Sequence, residues 1–502
     1  MASNNGDDVV ENLLQCAVCM ESYEESGTQT PKMLPCQHSF CVQCLKNISR
    51  AGRKQCPSCR EQFSIPVDEL SRSLVLIQLL DTRGSSPGRH NVTDASLLKE
   101  KFRDFDKAKE YLSKLTEKIL RIKMFNLEEI EAALNCIQYY RIPSDDRSRS
   151  IQITATKFVM YSISFGGGAV TVHLLSEVAT ELIKTMEAFK DDKLSSEVLL
   201  LCLTILALPA MMSKSGFNNL DLAHLLMTIL TTNQNSELEQ KIVEFLPDIS
   251  RKLSRSDNAN IGNRKYVKNL LSILRKKMSM KLRDATFYNL LSLLMCLTDE
   301  TPSTCTNIVN AGGLAIFAEL LEDKDINLIK EVLINLSNLT EVPEICYHFL
   351  DGNSGAVDCL LKLLISDELH ISYCAAAVIS RLLTIDFKEW EKLTKSPNLR
   401  NRALINMYNC VMKWGQEASL ICFHIKFISF KPFYSLLQKY DAPPLQLFAV
   451  WTIWKFCSYS SEIYQEMLIK EQGIDYLLEL KQNLYVDKNV KKFAELTLKL
   501  IH

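Results

Sequence analysis

From about residue 95 to the end of the chain, apolar residues recur at i, i+3, i+4 and i+7, with almost no strand-like alternation. LLLCLTILALPAMM, YNLLSLLMCLT and FAVWTIWKFC are typical stretches. The pattern predicts one helix after another over about 400 residues, which is either a bundle or a solenoid. A shorter periodic stretch, VDELSRSLVLIQLLD, sets Leu70, Leu74, Leu76, Ile77 and Leu80 near helical spacing and predicts a helix packed back on the segment before it. Between the two, Arg83-Gly-Ser-Ser-Pro-Gly-Arg-His90 is rich in turn and linker residues and marks the best domain boundary. Residues 1–12 are polar. A cysteine-rich module runs from about 13 to 66.

Internal repetition decides between bundle and solenoid. LLSLLMCLTDETPSTC (290–305), EVLINLSNLTEVPEIC (331–346) and AAAVISRLLT (375–384) align as apolar helices ending in Leu-Thr or a near equivalent. The residues just before that leucine are Cys296, Asn338 and Arg381, spaced 42 and 43 apart. A glycine turn opens the Leu-rich helix at Asn310-Ala-Gly-Gly-Leu-Ala-Ile-Phe and again at Lys470-Glu-Gln-Gly-Ile-Asp-Tyr. A period of about 42 with this layout is the signature of armadillo or HEAT repeats. The expected fold is therefore mostly α: a cysteine-rich module at 13–66, a helix and linker at 67–94, and an armadillo-like solenoid at 95–502. Copies before about 270 are more degenerate, and 384–430, with Trp390, Pro397 and Trp414, reads as an insertion or an irregular repeat.

Composition narrows the function classes. Hydrophobic residues make up 47% of the 502, enough for a large core. The formal net charge of −1 argues against general nucleic-acid or membrane-surface binding. No apolar run reaches the roughly 20 residues of a membrane span. The acidic start MASNNGDDVVENLL lacks the layout of a secretory signal, and Ala2 excludes N-myristoylation. Of 17 cysteines, ten are scattered singly through apolar helical text and read as small buried hydrophobes in a reducing compartment. The expected location is the cytoplasm, with the nucleus as a second compartment.

The other seven cysteines and one histidine lie within the first 59 residues: Cys16-x2-Cys19, Cys36-x-His38, Cys41-x2-Cys44 and Cys56-x2-Cys59. One tight turn of Cys-x2-Cys supplies two ligands of a zinc tetrahedron, so eight ligands in this order predict two Zn2+. So short a segment cannot bury enough apolar surface to fold alone, and metal supplies the missing stability. No basic recognition helix lies inside it, which argues against a DNA-reading finger.

The order of three cysteines, one histidine and four cysteines resembles the RING finger family. In that family the ligand pairs alternate, which implies that Cys16, Cys19, Cys41 and Cys44 hold one ion and Cys36, His38, Cys56 and Cys59 the other. The wording CxVCMESY…PKMLPCQHSFCVQCL is close to the RINGs of tripartite-motif proteins; no B-box ligands follow, and that likeness ends near residue 80. The resemblance implies a ubiquitin ligase that holds a ubiquitin-charged conjugating enzyme and acts by positioning. It implies roles for Val18 and Ile48 as apolar contacts to that enzyme, for Pro57 after the seventh ligand, and for Arg60 as a bridge between ubiquitin and the conjugating enzyme. A guanidinium suits a bridge because its fixed fork donates to two acceptors at once. The alternative is a zinc module that only stabilises or assembles, making the whole chain a non-catalytic armadillo scaffold.

Residues about 170–502 resemble the armadillo domain of the Zyg-eleven/Zer-one family, through LTDETPSTC, SNLTEVPEI, ISYCAAAVISRL, FISFKPFYSLL, QLFAVWTIWKFCS and LIKEQGIDYL. That family consists of substrate receptors of cullin ligases that recognise N-terminal glycine degrons. Its leucine-rich repeats and cullin box are absent from this sequence, and a RING stands in their place. The resemblance implies a pocket for a peptide α-ammonium at Asp299, Asn338 and Glu341, whose oxygens suit a partly dry cation site. Three neighbouring positions depart from the family: Met295 stands for a tryptophan wall, Cys296 for an asparagine and Arg381 for a histidine. A methionine gives a looser wall, and a nearby guanidinium opposes an ammonium. Lys455 holds an equivalent helix position near the C-terminus. A protein substrate, a conjugating enzyme and ubiquitin are the implied partners.

Overall fold

A computed structural model describes residues 14–24, 27–34, 36, 38–52, 54–63, 66–67, 70, 73, 103–166, 171–214, 216–351, 355–394, 396, 398–415 and 429–501. It divides into two compact units, residues 1–100 and 101–502. Leu74, Leu76, Ile77, Leu80 and the 83–90 linker lie outside the described residues.

The first unit is built on a duplicated turn. Gln15 bridges Ser22 and Gln55 bridges Gln62, each closing a loop around a Cys-x2-Cys. Cys16 N donates to Glu21 O and Cys56 N to Glu61 O, both at 2.8 Å. Met20 and Arg60 end the two turns with φ of 60° and 64°, and their amides return to Cys16 O (2.7 Å) and Cys56 O (2.8 Å). Between the turns lie β1 (Pro31–Met33), β2 (Ser39–Cys41, antiparallel to β1) and α1 (Val42–Arg50). The Cys41 sulfur caps α1 by accepting from Cys44 N. Leu14, Tyr23, Leu34, Phe40, Leu45, Phe63, Val67 and Leu70 form a small core. Ser73 N donates to Pro31 O at 2.9 Å, and Lys32 Nζ donates to Leu70 O. Val67, Leu70 and Ser73 thus lie against the zinc module, while the rest of the expected helix lies outside the described residues.

The second unit is a stack of helices. Ser196–Leu206, Ser236–Ser250, Ala285–Thr298, Ile326–Thr340 and Leu369–Leu382 pack each on the next and carry the core. Proline at the first helical position opens successive short helices, Pro302–Asn310 and Pro343–Leu350, where a missing N–H costs nothing. Asp284 and Asp325 cap the long helices that follow by accepting backbone N–H bonds. Hydrogen bonds between neighbouring repeats span close to one period: Asn335 Nδ2 to Leu291 O (3.2 Å), Asn338 Nδ2 to Met295 O (3.2 Å) and Arg251 Nη2 to Ser292 Oγ (3.3 Å). The glycine pair in the 310–313 turn has two separate uses. Gly312 takes φ 78°, and Gly313 lies so close to Ile308 that a Cβ would be 2.5 Å from Ile308 Cγ2.

The regular stack is interrupted after Leu382. Phe387–Thr394 and Leu399–Trp414 follow, and Pro443–Tyr459 packs chiefly on Leu399–Trp414 and on Lys488–Ile501. An aromatic cluster fills this joint: Trp414 and Trp451 centroids are 4.9 Å apart, with Tyr373 and Phe448 beside them. Trp414 Nε1 donates to Ser372 Oγ at 3.2 Å. Among the described residues no single helix is long and apolar enough to cross a membrane.

Candidate metal centre and groove site

The folded first unit gathers its eight ligands into two sets. Cys16, Cys19, Cys41 and Cys44 form one, and Cys36, His38, Cys56 and Cys59 the other, with ligand atoms within 4.8 Å of one another in each. A zinc tetrahedron with Zn–S bonds near 2.3 Å has sulfur–sulfur edges of about 3.8 Å. Cys19 and Cys41 Sγ are 3.9 Å apart. Backbone donors from Cys41, Val18 and Cys19 bring the Cys16 thiol down to about 7 against the effect of burial. Burial, with the thiols of Cys56 and Cys59 nearby, pushes Cys36 up to about 11. Thiols crowded this closely need a cation to be held ionised together, so donor chemistry and spacing both fit zinc.

The expected contact residues lie on the two turns and on α1. Val18 is 43% exposed on the first. Pro57 and Arg60 are exposed on the second, and Ile48 is half-buried on α1. An exposed apolar side chain on a metal-stiffened turn loses little entropy on docking.

In the second unit, Asp299 and Glu341 cap the C-terminal ends of adjacent long helices, Ala285–Thr298 and Ile326–Thr340. Both stand where unsatisfied carbonyls favour a cation. Asn338 joins the two repeats: its Nδ2 donates to Met295 O and to Thr298 Oγ1 (3.0 Å), while its own carbonyl accepts from Glu341 N (3.3 Å). Burial raises the Glu341 carboxyl above the usual range; Arg381 pulls it down and Asp299 and Glu300 push it further up. Glu300 itself is ion-paired with Arg255. Asp299 is exposed; Glu341 keeps an exposed side although its carboxyl is largely surrounded by protein, which is why desolvation raises it; and Met295, Cys296, Asn338 and Arg381 are half-buried. Arg381 Nη1 donates to Pro432 O at 2.9 Å, and burial lowers its pKa, opposed by Glu341.

Sequence reasoning missed Arg251. It pairs with Asp248 (2.6 Å), reaches Ser292 Oγ, and opposes the rise that burial gives the Cys296 thiol. It sits about one period before Cys296, in text where the repeat is worn. Lys455 lies over the Trp454 ring, 5.2 Å from its centroid. A cavity of about 430 Å³ lies elsewhere, lined by Ile365, Leu369, Asn406, Asn409, Lys413 and Trp414 among others, and includes none of the predicted site residues.

A cross-braced zinc finger and a helical repeat domain on one chain define the class of protein. Residues 16–57 match the family described as RING-type zinc-finger. Residues 141–502, well over half of the chain, match the family described as Protein zer-1 homolog-like, C-terminal domain, and the chain belongs to that family. Zyg eleven-related protein 1 of Caenorhabditis elegans is 24% identical over 283 residues, 56% of this chain and 31% of that protein. Protein zer-1 homolog of Homo sapiens is 23% identical over 374 residues, 73% of this chain and 46% of that protein. The chain thus spans less than half the length of these relatives. A designed armadillo repeat protein of known structure is 17% identical, covering 55% of this chain and 98% of its own, with a TM-score of 0.33, too slight a likeness to bear weight.

Proposed function

We propose that the protein is a RING-type ubiquitin ligase that carries its own substrate receptor. The first unit, holding two Zn2+, docks a ubiquitin-charged conjugating enzyme through Val18, Ile48 and Pro57. Arg60 holds ubiquitin against it. The second unit takes the substrate, with Asp299, Asn338 and Glu341 around a peptide α-ammonium. Zinc supplies no reaction step; it fixes the two turns that present the contact residues. The observation that carries the reading is the joint placement of Val18 and Arg60 on the two ligand-bearing turns, next to a zer-1 homolog-like domain on the same chain. Holding both functions on one chain raises their effective concentration without new contacts. Scattered reduced thiols suit a cytoplasmic or nuclear setting.

The test is discharge of ubiquitin from charged conjugating enzymes onto lysine. Ile48→Ala and Arg60→Ala should each slow it about tenfold, or about 1.4 kcal/mol of transition-state stabilisation. Unchanged discharge in both, or none by the parent with any conjugating enzyme, leaves the scaffold reading. The ammonium site is tested separately by comparing free and acetylated peptide N-termini, where Asp299→Ala should remove the difference.

A further inference from the structure

Along the adjacent repeats that carry Cys296, Asn338 and Arg381 the charges change sign. Asp299, Glu300 and Glu341 make one stretch acidic. Arg251 on one side of it is neutralised by Asp248 at 2.6 Å. Arg381 on the other side is not neutralised in that way. The one hydrogen bond of its guanidinium among the described residues goes to the carbonyl of Pro432, and no described carboxylate is in ion-pair contact with it. The shielded arginines nearer the start of this unit differ: Arg141 pairs with Glu181, and Arg149 with Asp192 and Asp146. A guanidinium has five donors in a planar fork. Half-burying one with a single carbonyl partner strips water from it without replacing the lost bonds. Glu341, at the C-terminal end of the adjacent long helix, makes no ion-pair contact with it among the described residues, although each charge bears on the other. Two opposite charges on adjacent repeats, not paired with each other among the described residues, can each receive one pole of a dipolar ligand.

We propose that Arg381 is an anion subsite that selects peptides carrying an Asp or Glu side chain close behind their free N-terminus. This takes its register from the proposed ammonium site between Asp299 and Glu341. Neighbouring helices stand about 10 Å apart, and an extended peptide advances roughly 3.3–3.6 Å per residue. The acidic residue then falls at the second to fourth position. Its carboxylate accepts from the unused fork of Arg381, a charge-assisted pair of the strong kind. A lysine there meets a like charge, so the same residue rejects as well as selects. The mixed field also explains why a guanidinium is tolerated beside an ammonium site: the two poles serve opposite ends of one short segment.

The experiment measures affinity of the full chain for peptides with Glu, Gln or Lys placed in turn at positions 2, 3 and 4, each with a free and an acetylated N-terminus. Glu should bind at least about tenfold better than Gln at one position, and Lys worse than Gln, consistent with a charge-assisted bond. Arg381→Gln should erase the order and Arg381→Glu should invert it, with melting temperature checking the fold. Arg381→Lys keeps the charge and should keep the preference, which covers the case in which the other variants unfold through loss of the Pro432 bond. No Glu preference in the parent, or the same order in parent and Arg381→Gln, overturns the proposal. If acetylation changes nothing while the Glu preference still follows residue 381, the subsite stands and the ammonium reading fails.

Discussion

The two units are held together by different physics. In the first, two strands of three residues, one nine-residue helix and a core of a few side chains surround two sets of ligands. Its regular backbone pairing is too short to specify a fold, and both duplicated turns are closed around cysteines. In the second, the long helices between 196 and 382 pack each on the next, and Leu290, Leu294, Leu336 and Leu382 are wholly shielded. Burial of that kind, at about 25 cal/mol per Å², needs no ligand. The contrast predicts that the first unit depends on a ligand and the second does not, and each can be tested by perturbing the other.

The largest expected effect comes from removing metal. A strong zinc chelator should abolish amide-exchange protection across 14–73, because metal-binding energy in a module this small is folding energy. Helices between 196 and 382 should keep their protection, and far-UV circular dichroism should change little. Loss of protection in Ile326–Thr340 on chelation would break the comparison.

The same contrast governs what could be read in advance. Cys-x2-Cys is local, so its turns were legible from spacing. The crossing of pairs between 16/19 and 41/44 is not local, and it came from family likeness rather than from spacing. In the solenoid, Cys296, Asn338 and Arg381 were legible as one repeated position, since each repeat puts that position in the same place on its helix. The pattern fades before 270, where polar pairs such as Arg141, in the loop after Leu127–Tyr139, with Glu181 on Val172–Phe189 tie elements together in a way the sequence does not mark. It also breaks where Trp414 and Trp451 fill the joint after Leu382. The Pro432 partner of Arg381 could not be foreseen, because a backbone carbonyl has no sequence identity.

A middle-sized effect would sharpen the contrast. Gly313→Ala puts a methyl 2.5 Å from Ile308 Cγ2 and 2.9 Å from the Ile308 carbonyl oxygen. The side chain can turn away, but the backbone oxygen cannot. The cost should be about 2 kcal/mol, the usual size for overpacking a tight contact. Chemical denaturation should show it in the solenoid transition alone, with zinc content unchanged. A loss of bound zinc in this variant would mean that the two units do not stand apart energetically.

The smallest effect concerns Glu341. Its carboxyl is raised by burial and by Asp299 and Glu300, and only partly relieved by Arg381. A carboxyl raised in the folded state binds more protons there than in the unfolded chain, so folding becomes less favourable as pH rises through that window. At neutral pH Glu341 is then a slight burden on the fold, the reverse of the zinc ligands without which the first unit has no fold. Glu341→Gln should melt no lower than the parent and lose affinity for a free N-terminal peptide. In the parent, that affinity should fall as pH is lowered, and the fall should begin above the pH at which an ordinary carboxylate, with a pKa of about 4.3, would cause it. A lower melting temperature in Glu341→Gln, or affinity flat down to that pH, would make Glu341 a structural cap and remove its carboxylate from the ligand site.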